Sequence, residues 1–141
     1  MPSKDQLVRE ALATEVRKVV GIGTVMADGF WQLWNQETAM PAAYVILDSD
    51  SKDRSPTRSK EVSASFRIAT TLRSEKPQDA FDTLRAAIET EIEDDPGLGG
   101  LVRDAWVSGC GPFATAKSIS GDFYVRNIFV DVSYRYPRAQ P

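Results

Sequence analysis

Histidine is absent from this 141-residue chain, and cysteine occurs once. The first absence removes the commonest general base and the commonest metal ligand together, so histidine-dependent triads and histidine-bearing zinc sites are excluded. The single thiol, Cys110, has no partner for an intrachain disulfide, which fits a reducing compartment better than a secreted, stapled scaffold. It sits between Gly109 and Gly111 and is followed by Pro112, with no activating basic group beside it in sequence. It therefore reads as a small turn or sheet-edge thiol rather than a nucleophile.

Long apolar runs are also missing. The longest, residues 42–47, falls far short of a bilayer span, and the start, Met1-Pro2-Ser3-Lys4-Asp5, is polar. The expectation is a chain neither secreted nor embedded in a membrane. Positive charge is not in excess: 17 Lys and Arg stand against 20 Asp and Glu, for a net charge of −3. Such a balance gives no global field to draw in nucleic acid or an anionic membrane surface.

What is present is ordinary globular composition, 42% hydrophobic and 26% charged, at a length suited to one core. Ser3 and Gln6 have capping-box spacing, and Leu7, Val8, Ala11, Leu12, Val16 and Val19 follow at helical intervals until Gly21 and Gly23. Residues 24–38 are mixed, with Phe30, Trp31, Leu33 and Trp34 fitting a helical turn or an irregular strand; core packing or an exposed recognition patch are both open to these aromatics. Met40-Pro41 favours extended geometry, and residues 42–47 read as a buried, central strand. Residues 48–60, DSDSKDRSPTRSK, contain no large apolar side chain and read as a mobile polar loop or an arm that orders on a partner.

The clearest alternation follows, with Val62, Ala64, Phe66, Ile68 and Leu72 on one face and Ser63, Ser65, Arg67, Thr71 and Arg73 on the other. A strand with one wet face points to an antiparallel sheet, half-solvated, rather than the doubly covered parallel sheet of a nucleotide-binding fold. Pro77 suits the first turn of a second helix, with Phe81, Leu84, Ala87, Ile88 and Ile92 as its apolar stripe. Pro96, Gly97, Gly99 and Gly100 stop it, and residues 101–107 resume an extended pattern up to a turn at Gly109–Pro112. The last strand covers about 123–136, and residues 137–141 read as a frayed tail. The fold class is α+β: an antiparallel or mixed β-sheet packed by an N-terminal and a central helix, in a single domain.

No motif announces chemistry. Gly21-Ile22-Gly23 follows a helix, and Gly97-Leu98-Gly99-Gly100 precedes a strand, the reverse of the strand–glycine–helix order that cradles phosphate. The acidic run Glu89, Glu91, Glu93, Asp94 and Asp95 lacks calcium-loop spacing and reads as a solvated helix face. Its position at a helix C-terminus opposes the macrodipole, which a basic surface on a neighbouring subunit would offset. No catalytic residue, metal or cofactor is assigned.

The succession of an N-terminal helix, Gly-Ile-Gly-Thr-Val at 21–25, Met-Pro-Ala-Ala-Tyr-Val at 40–45, a polar loop, an amphipathic strand, a helix, Leu-Gly-Gly-Leu-Val at 98–102 and a terminal strand resembles the tail terminator, or tail completion, proteins of long-tailed bacteriophages and related minor tail components. The resemblance implies a non-enzymatic virion protein made in the host cytoplasm and placed at the head-proximal end of the tail. It implies a ring, hexameric in the assembled tail, that caps the tail tube protein and joins it to the head–tail connector protein. DNA would pass through such a ring without sequence-specific binding. On this resemblance the subunit interface would include Asp48, Asp50, Lys52, Asp53, Arg54 and Arg58 of the polar arm, together with Gly99 and Gly100 of the post-helix turn. Two alternatives remain: a head–tail connector or stopper subunit, and a small-molecule-binding α+β domain.

Overall fold

A computed structural model of the chain describes residues 4–27, 41–52, 59–116 and 122–137. The first helical pattern forms α1 (Lys4–Arg17), which buries Val8, Leu12, Ala13 and Val16. Leu7, expected on that face, is 37% exposed, because it sits about 100° round the helix from Val8, at the margin of the apolar stripe. Ser3 of the capping pair lies outside the described residues. Beyond Arg17 the chain tightens through Lys18 N–H to Glu15 O and Val19 N–H to Val16 O bonds. Gly21 then adopts a φ of 88°, a left-handed conformation that favours glycine.

The second helix, α2 (Pro77–Asp94), carries its proline in the first turn and buries Phe81, Leu84, Ile88 and Ile92. The strands are β1 (Thr24–Met26), β2 (Ala42–Lys52), β3 (Ser59–Leu72), β4 (Asp104–Cys110), β5 (Ala114–Ala116) and β6 (Phe123–Pro137). Their order in the sheet is β1-β2-β3-β6-β4, with β5 also paired to β6. β1 runs parallel to β2 and the other pairings are antiparallel, so the sheet is mixed and the α+β class holds. β2 is an interior strand, and β6 pairs with three others.

Both helices share one core with one face of the sheet. Val8, Leu12 and Val16 from α1 and Phe81, Ile88 and Ile92 from α2 join Val45, Phe66, Ile68, Ile128, Val130 and Val132 in a single buried cluster. The opposite face departs from the expectation of a wet surface. Ala42, Ala69 and Thr71 have no exposed area and Tyr44 has 2%, so the sheet is buried on both faces toward the β1 end of β2. Alternation sets Thr71 on the side away from Phe66 and Ile68, but it separates the two faces without saying whether the second is covered.

Pairing also reaches into the polar segment expected to be a loop. β2 continues to Lys52, opposite Val62, and β3 begins at Ser59, opposite Pro137. An antiparallel ladder is satisfied by backbone N–H and C=O groups, so a run without large apolar side chains can still be a strand. Residues 53–58 lie outside the described residues, as do Phe30, Trp31, Leu33, Trp34 and residues 138–141 of the expected tail. Pro137, placed in that tail by the sequence pattern, is the last residue of β6.

β4 is shifted from the expected 101–107 to Asp104–Cys110, and its register slips between Val107 and Gly109. The bulge takes up Ser108, and Gly109 and Cys110 pair with Phe129 and Ile128, so both belong to a strand and not to a turn. Phe66 is fully buried and Leu7 is not. Phe66→Ala is expected to cost about 3–5 kcal/mol by urea unfolding, whereas Leu7→Ala should stay within roughly 1 kcal/mol.

Candidate assembly surfaces

The expected interface residues divide between two places in the fold. Asp48 falls at the irregularity between Leu47 and Ser49, Asp50 stands opposite Ala64, and Lys52 opposite Val62. Asp53, Arg54 and Arg58 lie outside the described residues. Gly99 and Gly100 form the turn after α2, with φ of 72° and 88°. Asp95 fastens this turn by accepting the Gly99 N–H on Oδ2 at 3.0 Å, and Leu98, only 6% exposed, anchors it in the core. A Cβ at Gly99 or Gly100 would meet no neighbour within 4 Å, so their requirement is conformational rather than steric.

The sheet register brings these two places to one end. The turn enters β4 where Asp104 pairs with Ser133, Ser133 with Ser63, and Ser63 with Ser51. Past that row β4 has stopped, while β3 and β6 remain paired through Ser59 and Pro137. The sheet thus narrows to β2, β3 and β6 as it runs toward residues 53–58. α1 is tied to this end through Asp5, whose Oδ1 accepts the Tyr134 hydroxyl at 2.7 Å, with the Lys4 ammonium 5.5 Å from the same ring's centre.

At the other end of β6 a second group closes the fold. Arg126 donates through Nε to Gly111 O at 2.7 Å and through a terminal nitrogen to Asp82 at 3.1 Å, while its own carbonyl accepts the Thr70 hydroxyl. Gln78 also donates to Asp82, and these hydrogen bonds, that of Gln78 first, hold the Asp82 carboxyl below its ordinary range. Phe113 bridges Phe81 and Tyr124, stacked on one at 5.8 Å and edge-on to the other at 5.7 Å. The Arg85 guanidinium lies 3.2 Å from Cys110 Sγ. That neighbour has no signal in the order of residues, because α2 and β4 approach only through the tertiary fold.

The acidic run beyond Ile88 finds a base within the chain. Lys18 sits 3.0 Å from Glu15, and its ammonium is held above its ordinary value by the hydrogen bond to Glu15, helped by the charges of Glu91 and Asp95. Among the described residues no group of three or more Asp, Glu or Cys side chains is placed to hold a metal ion, and no helix is long and apolar enough to cross a membrane.

The two sheet edges are dressed differently. At β1, Arg17 donates to Val25 O at 3.3 Å and Arg9 to Ala27 O at 3.1 Å, so side chains of α1 occupy carbonyls at that edge. The β4 edge carries Trp106, 42% exposed, a residue the sequence reading passed over. Its neighbours Ala105 and Val107 pack toward the core, a period-two signal that sets Trp106 on the opposite face. No protein-family model matches this chain, and no curated protein matches it significantly.

Because the folded-state value of Asp82 lies below the unfolded one, its pairing stabilises the fold fully above the ordinary aspartate range and loses that contribution as pH falls through the lowered value. Asp82→Asn should therefore flatten the acid limb of stability. Urea unfolding at intervals between about pH 5 and about pH 2 checks this, the wild type losing more stability over that span than the variant.

Proposed function

We propose that this chain is a structural subunit that joins copies of itself into a ring, acting as a tail terminator that caps a phage tail tube and meets the head connector. The observation that carries the reading is the narrowing of the sheet into β2, β3 and β6 toward the charged residues 48–60. That end also receives the Gly99–Gly100 turn and the start of α1. A ladder supported from behind presents its backbone at a fixed angle, which is what a repeated contact between identical subunits requires. The resemblance of the segment order to tail terminators supplies the particular assembly.

In this role the chain's contribution is geometric. The buried core fixes the sheet, and the charged positions among residues 48–60 set which partner surface is accepted. Exposed ion pairs are each worth about 0–1 kcal/mol, but a closed ring repeats every one of them around its axis. The weak single contact also leaves the free subunit soluble until copies meet on a template.

Replacing Arg54 and Arg58 together by glutamine is expected to weaken ring assembly at physiological salt and to leave the melting temperature of the monomer nearly unchanged. Negative-stain electron microscopy of the chain mixed with tail tubes, alongside thermal unfolding of the free chain, reads both quantities. Rings that form undiminished from the double variant would remove the arm from the interface, and a chain that never decorates a tube end would remove the terminator role.

A further inference from the structure

The face of the sheet turned away from the helices changes character along its length. Toward the β1 end of β2 it is covered: Ala69 and Thr71 of β3 have no exposed area, and Tyr44, opposite Ala69, has 2%. Toward the other end it opens, with Ser65 and Asp131 half-buried. Arg67 stands where the two parts meet. It lies on β3, the middle strand of the sheet, between Ile46 of β2 and Phe129 of β6, and it too is half-buried.

Its guanidinium sets it apart. Nε is closed to solvent and has no hydrogen-bond partner. Among the described residues the other arginines are engaged: Arg9, Arg17, Arg85 and Arg126 donate to acceptors within the fold, and Arg73 and Arg103 also have partners. The nearest acid in the register, Asp131, stands opposite Ser65 and accepts its hydroxyl at 2.9 Å. A second orphan follows on the same face of the same strand. Thr71 Oγ1 is buried without a partner, and the residue between the two on that face is Ala69, whose side chain is a single methyl group. Buried polar groups are ordinarily hydrogen-bonded, so two unpaired ones along one stripe call for a missing partner.

We infer that this stripe binds an oxyanion, with Arg67 as its main donor and Thr71 behind it. A guanidinium offers five N–H donors in a planar fork and no acceptor, so its complement is an oxygen acid. Carboxylate and phosphate each present two oxygens that match the fork. Water would satisfy the hydrogen bonds and leave the half-buried charge uncompensated. Pairing on both sides of β3 holds the backbone of Arg67 and Thr71 in place before an anion arrives. Their four-residue separation is about 13 Å of strand, a span that an arginine side chain and one anion bridge together. The open part of the face, past Ser65, is the way in. This site stands apart from the ring reading and needs no second copy.

The test follows the Nε–H signals of the arginines of the full-length chain by nitrogen-15 correlation spectra. Sodium phosphate is titrated in one series and sodium acetate in another, with ionic strength held constant by sodium chloride. The Arg67 signal is identified by its loss in Arg67→Lys, or in Arg67→Gln should the first variant fold poorly. The expected result is a saturable shift of that signal in the millimolar range while the other arginine signals stay in place, and the anion that binds more tightly names the class. Thr71→Val keeps the shape and removes the hydroxyl, and it should weaken binding about fivefold, the scale of one hydrogen bond. A shift that never saturates and is shared by all arginines, meaning an adventitious ion only, overturns the site, as does no shift with either anion. Unchanged affinity in Thr71→Val removes Thr71 from it. Each of these outcomes leaves the ring reading standing.

Discussion

The antiparallel pairing of β3 with β6 places Phe66 opposite Val130 and Ile68 opposite Ile128, and all four belong to the core shared by the helices. Side chains alternate with a period of two, so a slip of one residue in this register would turn the apolar set of either strand out of the core. The remaining pairings inherit their position from this one. β2 is aligned by β3, and β4 and β5 are both aligned by β6. The pairing runs without interruption from Ser59 and Pro137 to Leu72 and Tyr124, which is how the buried middle of the sheet fixes the direction of its polar end.

Polar contacts finish what burial begins. Asp5 meets Tyr134 at one end of β6, and Asp82 meets Arg126 at the other, so a helix is tied to each end of the same strand. Such exposed or half-exposed contacts add little energy individually. Their effect is to fix orientation: they determine how α1 and α2 sit over a sheet whose apolar face alone would tolerate small rotations. The gap that this arrangement leaves between the end of α1 and the start of α2 is an open groove bordered by Val20.

The treatment of the edges bears on assembly. An open strand edge offers unpaired backbone groups and invites indiscriminate pairing. Arginines from α1 occupy the carbonyls of Val25 in β1 and of Ala27 just beyond it. At that edge, blunting favours contacts made by side chains and loops over strand addition. The proposed contact through the charged residues 48–60 is of that kind, specific through charge.

Local pattern was enough to determine a good part of this protein. The helical spacing of Phe81, Leu84, Ile88 and Ile92 after Pro77, and the alternation through Phe66 and Ile68, identified α2 and β3, because those periodicities are the direct imprint of one buried face. The polar composition of residues 48–52 concealed a strand, since backbone pairing does not depend on apolar side chains; Gly109, which suggests a turn, is paired with Phe129 because the bulge before it takes up Ser108. What only the tertiary structure decided is which residues meet: the burial of Thr71 and Tyr44 on the second sheet face, Arg85 beside Cys110, Asp5 beside Tyr134, and Trp106 left standing at an edge. Those relations join segments distant in the chain, and a one-dimensional pattern carries the hydrophobicity of a position but not the identity of its neighbours.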